Sequence, residues 1–215
     1  MDFFDSTKTI VENLSLLSGP ILTIFAIVGV FQLFQTKKAL IITSKRDAAN
    51  LAAQQIKDYS ERIIPLISEY DFALLSDKIP SIKIEIGEFN EEYLKEKLGE
   101  KKINEISLER IKYIVYQCDA LNSLEAFSTY FTKGVADEQI AYSAIGRTFC
   151  YSVENYFFEI SNRRKESDPT YQNIIELYKL WSERLKKDRL TLEQKEILKK
   201  IKNINCKIVE PIGTK

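Results

Sequence analysis

The sequence predicts an all-α protein: one apolar helix near the N-terminus that continues into a multi-helix bundle. Three observations predict it. Leu14–Phe34 reads LSLLSGPILTIFAIVGVFQLF, 21 residues without a charged side chain. At 1.5 Å rise per residue a helix of that length spans about 30 Å, the thickness of a bilayer core. From Ala49 onward apolar residues recur at spacings of three and four, the period of a helix face. Helix starters and stoppers, Asn90, Gly99, Gly134 and Asp137, divide the rest of the chain into helix-sized pieces.

The residues before the apolar run carry Asp2, Asp5 and Glu12 against Lys8. A secretory signal needs a positive start and a shorter apolar core, so the run reads as a retained transmembrane helix. Lys37, Lys38, Lys45 and Arg46 follow it, and Lys and Arg concentrate on the cytoplasmic side. The expected topology is single-pass, with the N-terminus outside and the C-terminal domain in the cytoplasm. Five segments follow from this: an extracytoplasmic tail (1–13), the transmembrane helix (14–34), a long juxtamembrane helix (35–76), a cytosolic helical domain (77–204) and a C-terminal strand or tail (205–215). Within the span Ser15, Gly19 and Thr23 recur at every fourth residue, a small-residue face of the kind that packs helices closely in lipid. Pro20 within the span predicts a kink.

No Gly or Pro separates the span from Gln35–Asp58, so the membrane helix is expected to run on without a break. The seam that follows is Ala49, Ala53, Ile56, Ser60, Ile63, Ile67, Tyr70 and Leu74. It packs against the rest of the domain, or forms a parallel coiled coil; Ala and Ser at its start weaken the second reading. Pro65 should kink or break the helix. Ser81–Ile86 alternates apolar and charged residues, the period of a half-buried strand, and its one comparable partner is Asn205–Glu210. A minor two-stranded β-ribbon and an irregular loop both remain open there.

Asn90 caps a short helix, Glu91–Leu98, ended by Gly99. A long helix is expected from Ser107 to Gly134. It carries one apolar stripe at Leu108, Ile111, Val115 and Cys118, and a second at Leu121, Leu124, Phe127 and Phe131. Continuing the first stripe meets Asn122 and Glu125, which places them as a candidate buried polar cluster with Arg147 as the basic partner. The next helix runs from Asp137 to about Arg164 with an aromatic face. Gly146 inside it costs about 1 kcal/mol relative to Ala, for which a close helix–helix contact is a sufficient reason. Its end, Asn162-Arg163-Arg164-Lys165, suits the helix dipole without any nucleic acid. Asp168-Pro169 reads as an N-cap with Pro in the first turn, opening a helix to about Arg189. Thr191 and Gln194 read as a capping box for a separate last helix, Leu192–Ile201.

Composition narrows the chemistry. The 31 basic residues balance 31 acidic ones, which argues against a dedicated nucleic-acid binder. Histidine is absent, which removes His metal sites, Ser–His and Cys–His nucleophiles and a histidine general base. Cys118, Cys150 and Cys206 lie far apart and read as reduced thiols. Neither a Walker motif nor a GxGxxG after a strand is present. No catalytic residue, cofactor or metal is therefore expected; the expected partners are the lipid bilayer and a protein, either another chain or a second copy.

SKRDAANLAAQQIKDYSERIIPLI at 44–67 and ALNSLEAFSTYFTKGVADEQIAYSAIGRTFCYSVENYF from Ala120 make the chain resemble a loosely defined bacterial family. Its members join one membrane helix to a cytosolic helical domain of unknown function. The resemblance covers most of residues 15–185 and implies no reaction. It does suggest a role some such proteins have, as effectors in antiphage defence. The leading expectation is a membrane-anchored helical interaction or scaffold protein of the bacterial inner membrane. The alternatives are a membrane-perturbing effector acting through oligomerisation of the transmembrane helix, and a carboxylate-dependent enzyme such as a nuclease.

Overall fold

The computed structural model describes residues 2–204 except 81, 83, 166 and 168, and the side chains from residue 22 onward. It is all-α, with no strand among the described residues. The chain divides into two units, Met1–Ala48 and Ala49–Lys215. Helix α1 (Asp2–Asp58) supplies the first unit and the opening of the second. From Asp2 on, the candidate tail, the apolar run and the residues after it are thus one helix. From Leu22 to Phe34 its large apolar side chains all lie exposed, with Leu33 at 70% and Phe25 at 69%. This is one helix long and apolar enough to cross a membrane. Ser15 and Gly19 fall where side chains are outside the described residues; Thr23 is exposed.

The second unit is a helical bundle. A π turn, Tyr59–Ile63, separates α1 from α2 (Ile64–Ser76). Pro65 sits in the first turn of α2. The wider turn before it accommodates the missing N–H and the ring without ending the rod. Its extra residue also shifts the buried line upstream. Ile63, Ile67, Tyr70 and Leu74 are buried as the spacing predicts, but before the turn the line runs through Ala52 and Tyr59 rather than Ala53 and Ser60, which are exposed.

Residues 79–88 form no strand where they are described. The alternation there is real, with Ile79, Ile82, Ile84 and Ile86 packed against the core, but they sit in an irregular segment. Ser81, Lys83 and the expected partner Asn205–Glu210 lie outside the described residues. Helix α3 (Glu91–Leu98) has the expected bounds: the Asn90 side chain accepts the Tyr93 N–H at 2.7 Å, and Gly99 takes φ +80°.

The helix expected to start at Ser107 begins earlier. α4 (Glu100–Arg110), a 3-10 turn (Ile111–Tyr113) and α5 (Ile114–Thr132) follow one another, ending before Gly134 at φ +66°. The first apolar stripe is overturned: Leu108, Ile111 and Val115 are exposed. The buried line runs through Ile103, Arg110, Tyr113, Gln117, Ala120, Leu124, Phe127 and Phe131. Two of its members, Arg110 and Gln117, are polar, so a stripe sought by hydrophobicity settles on the wrong face.

α6 (Glu138–Asn155) is capped by Asp137, whose carboxylate accepts the Ile140 N–H at 3.1 Å. A turn at Tyr156 splits it from α7 (Phe157–Arg163). Gly146 does not mark a contact between helices. A Cβ there would meet the Tyr142 ring of its own helix at 2.7 Å. α8 (Gln172–Lys202) begins after Tyr171, which takes φ +60°, and it is a single helix. No break occurs at Thr191, whose hydroxyl donates back to the Lys187 carbonyl instead of capping a new helix. Trp181, at the centre of the bundle, is surrounded by Phe131, Phe149 and Tyr142 at centroid distances of 5.0 to 6.1 Å.

Candidate functional site

The expected cluster of Asn122, Glu125 and Arg147 is not assembled. Asn122 and Arg147 are exposed, because their helices turn those positions away from the core. No ion pair joins Glu125 to Arg147 among the described residues. Glu125 is half-buried and instead reaches the start of α8. Its Oε1 accepts the Asn173 N–H at 3.1 Å and the Asn173 Nδ2 at 2.7 Å, and its Oε2 accepts the Ile174 N–H at 2.9 Å. Tyr171, the residue at the cap position, supplies no side-chain bond, so Glu125 serves as the cap from another helix. The cations at the end of α7 are likewise engaged. Arg163 donates to Gln117 Oε1 at 2.6 Å and to Cys118 Sγ at 3.1 Å, and Arg164 to Gln172 Oε1 at 2.6 Å.

The buried charge in this bundle is elsewhere. Glu159 on α7 is 2% exposed and Arg110, the last residue of α4, is 8% exposed. Their side chains pair directly. The same Glu159 oxygen accepts the Tyr70 hydroxyl at 2.9 Å, and Arg110 also donates to the Pro80 carbonyl at 3.2 Å. Burial drives the Glu159 carboxyl above its ordinary range, against the opposing pull of the Arg110 guanidinium. Arg110 Nε, Glu159 Oε2 and the Tyr156 hydroxyl are buried without a hydrogen-bond partner among the described residues, so hydrogen-bonding capacity is left over around the pair.

This pair forms part of the wall of a cleft of about 690 Å³. α2, the irregular segment, α4, α6 and α7 each contribute to it. The apolar lining comes from Leu74, Leu75, Ile82, Ile84, Phe157 and Phe158. Among the described residues the charged lining is four carboxylates, Asp71, Glu85, Glu154 and Glu159, and one cation, Arg110. Burial raises the Asp71 carboxyl, with Arg110 opposing. A pocket with apolar walls and few convergent polar groups with displaced titrations is the usual form of a binding site. Its chemistry suits an apolar group carrying a positive charge.

Sequence reasoning missed this site because Arg110 and Glu159 look like surface charges in LERIKY and FFEISN. One signal was available: each sits among residues that share its helical face with the core. Cys118 and Cys150 are free thiols, and burial pushes the Cys150 thiol up to about 12. Cys206 lies outside the described residues. No group of three or more His, Cys, Asp or Glu that could hold a metal occurs among the described residues. No family model, curated protein or solved structure matches the chain.

Proposed function

We infer that the chain is a single-pass protein of the bacterial inner membrane that holds a helical interaction module in the cytoplasm. One observation carries this reading. Between Leu22 and Phe34 apolar side chains point outward on every side of α1, and none of that stretch is buried. In water such a surface is costly at about 25 cal/mol per Å², whereas in lipid it is the ordinary state of a spanning helix. Lys37, Lys38, Lys45 and Arg46 are all exposed after it, which supports a cytoplasmic bundle. The acidic, apolar-walled cleft supports binding by that bundle of an apolar, positively charged segment of another protein.

Membrane fractionation of cells making the full chain tests the anchor. The chain should stay in the membrane pellet after alkaline carbonate, and a C-terminal green fluorescent protein fusion should fluoresce while an alkaline phosphatase fusion stays inactive. Release by carbonate, or an active phosphatase fusion, would overturn the anchor or its direction respectively.

A further inference from the structure

The second half of α8 has an unpartnered face that the bundle does not use. Up to Leu185 the inward residues of α8 are Ile174, Ile175, Leu177, Tyr178, Trp181 and Leu185, with Ile174, Tyr178, Trp181 and Leu185 along the middle of that face. From Lys186 to Lys202 every side chain is exposed. The apolar residues there are Leu190, Leu192, Ile197, Leu198 and Ile201. At about 100° per residue Leu192 continues the line of Ile174, Tyr178, Trp181 and Leu185, whereas Leu190, Ile197, Leu198 and Ile201 form a second stripe on roughly the opposite side of the helix. The second stripe is therefore not a continuation of the core stripe, and the bundle cannot cover it by packing along the same face.

Charge identifies what can. Residues 186–202 carry seven Lys or Arg against three Asp or Glu, a net charge of +4 in a chain whose total is zero. Asp188 already accepts the Tyr142 hydroxyl at 2.6 Å, and Glu193 pairs with Arg189 at 3.8 Å. Lys186, Lys187, Lys195, Lys199, Lys200 and Lys202 have no ion pair among the described residues. Lys186 and Lys202 flank the stripe on its two sides and Lys187 falls within it at its first turn; their long stems can lie along apolar surface while the ammonium groups reach outward. A second copy fits poorly: pairing two such helices would bring two net charges of +4 together, and the positions beside the stripe offer no complementary set of acids. An apolar strip bordered by unpaired lysines is the form of helix that lies in the interface of an anionic bilayer.

We propose that the C-terminal half of α8, Lys186–Lys202, docks on an anionic lipid surface through Leu190, Ile197, Leu198 and Ile201. The proposal rests on the membrane-anchor reading, since the anchor is what keeps the bundle beside lipid. The full chain, reconstituted in vesicles of phosphatidylcholine alone or with added phosphatidylglycerol, is digested with trypsin and the cuts are followed by mass spectrometry. Cleavage at Lys195, Lys199 and Lys200 should slow by about tenfold in the phosphatidylglycerol vesicles, and recover at high salt. Cleavage at the exposed Lys101 of α4 should not change and serves as the folding control. The double variant Ile197→Asp/Ile201→Asp should lose the protection while Lys101 is cut at its native rate. Equal cleavage in both vesicles overturns the proposal. So does equal protection in both, which would mean that protein covers the stripe. Release of the chain by alkaline carbonate from both vesicles overturns the anchor alone, because lipid-dependent protection is still read on the fraction that binds.

Discussion

Glu125 holds Asn173 by two hydrogen bonds, one to its backbone N–H and one to its side-chain amide, and thereby closes the N-terminus of α8 from α5. Thr132 braces the same asparagine, its hydroxyl donating to Asn173 Oδ1 at 2.7 Å. The two long helices at the middle of the bundle are joined at this point by polar contacts as well as by packing. Glu125→Ala should destabilise the full chain by about 1–2 kcal/mol, the usual worth of a cap with its dipole contribution. Glu125→Gln keeps an acceptor oxygen and should cost less. Urea unfolding in detergent micelles, followed by circular dichroism, measures both. Equal losses in the two variants would mean that charge rather than the hydrogen bonds matters.

Arg110 and Glu159 should behave as a pair. Removing either leaves a buried charge alone, at about 3–5 kcal/mol. The double replacement Arg110→Met/Glu159→Leu removes both charges and should restore stability to about that of the native chain. A double-mutant cycle by thermal unfolding gives the answer. Additive losses would show that the two side chains are not coupled.

The raised Asp71 carboxyl makes a pH prediction. Its folded value lies above the 3.8 of the free group, so the folded state holds the proton more tightly than the unfolded chain does. The resulting stability is fully present below pH 3.8 and is lost as pH rises through the folded value. Asp71→Asn does not titrate. The variant should match the native chain in acid and become the more stable of the two as pH rises towards neutrality. Denaturation midpoints across that range test the sign; a gap that widens on acidification would refute it.

Gly146 yields a coupled prediction. Ala is worth about 1 kcal/mol over Gly inside a helix. Here its Cβ would press on the Tyr142 ring, which is held by Trp181 on one edge, by Arg184 at 4.5 Å over its face, and by its hydrogen bond to Asp188. Gly146→Ala should therefore gain nothing or lose stability in the native chain. In a Tyr142→Ala background the same change should stabilise by about 1 kcal/mol. Melting temperatures of the four proteins check it.

The helical class, the caps at Asn90 and Asp137 and the stops at Gly99 and Gly134 were legible in the sequence, because each depends on a few neighbouring residues. So was the second apolar line of α5, from Leu121 to Phe131. What escaped depends on distant contacts. The π turn before Pro65 displaces a periodic seam by one residue, and no local pattern announces the insertion. Continuous α8 reads as two helices because Thr191 and Gln194 have the spacing of a capping box, whereas the Thr191 hydroxyl bonds back to the Lys187 carbonyl of the same helix. The cleft was invisible for a related reason: Arg110 and Glu159 are separated by 49 residues and only the packing of α4 against α7 brings them together.

The inverted face of α4 and α5 has a consequence beyond packing. Leu108, Ile111 and Val115 are more hydrophobic than the buried Arg110, Tyr113 and Gln117 beside them, yet they face outward. Although Leu124, Phe127 and Phe131 further along α5 favour the face observed, over this short stretch burial alone favours the other one. Polar contacts decide against that: Arg110 to Glu159 and Pro80, and Gln117 to Arg163. The bundle is thus locally frustrated, with one arrangement selected by directional bonds over another favoured by oil-like burial. Those bonds fix which way this stretch of helix is rotated, a choice that its apolar side chains alone do not make.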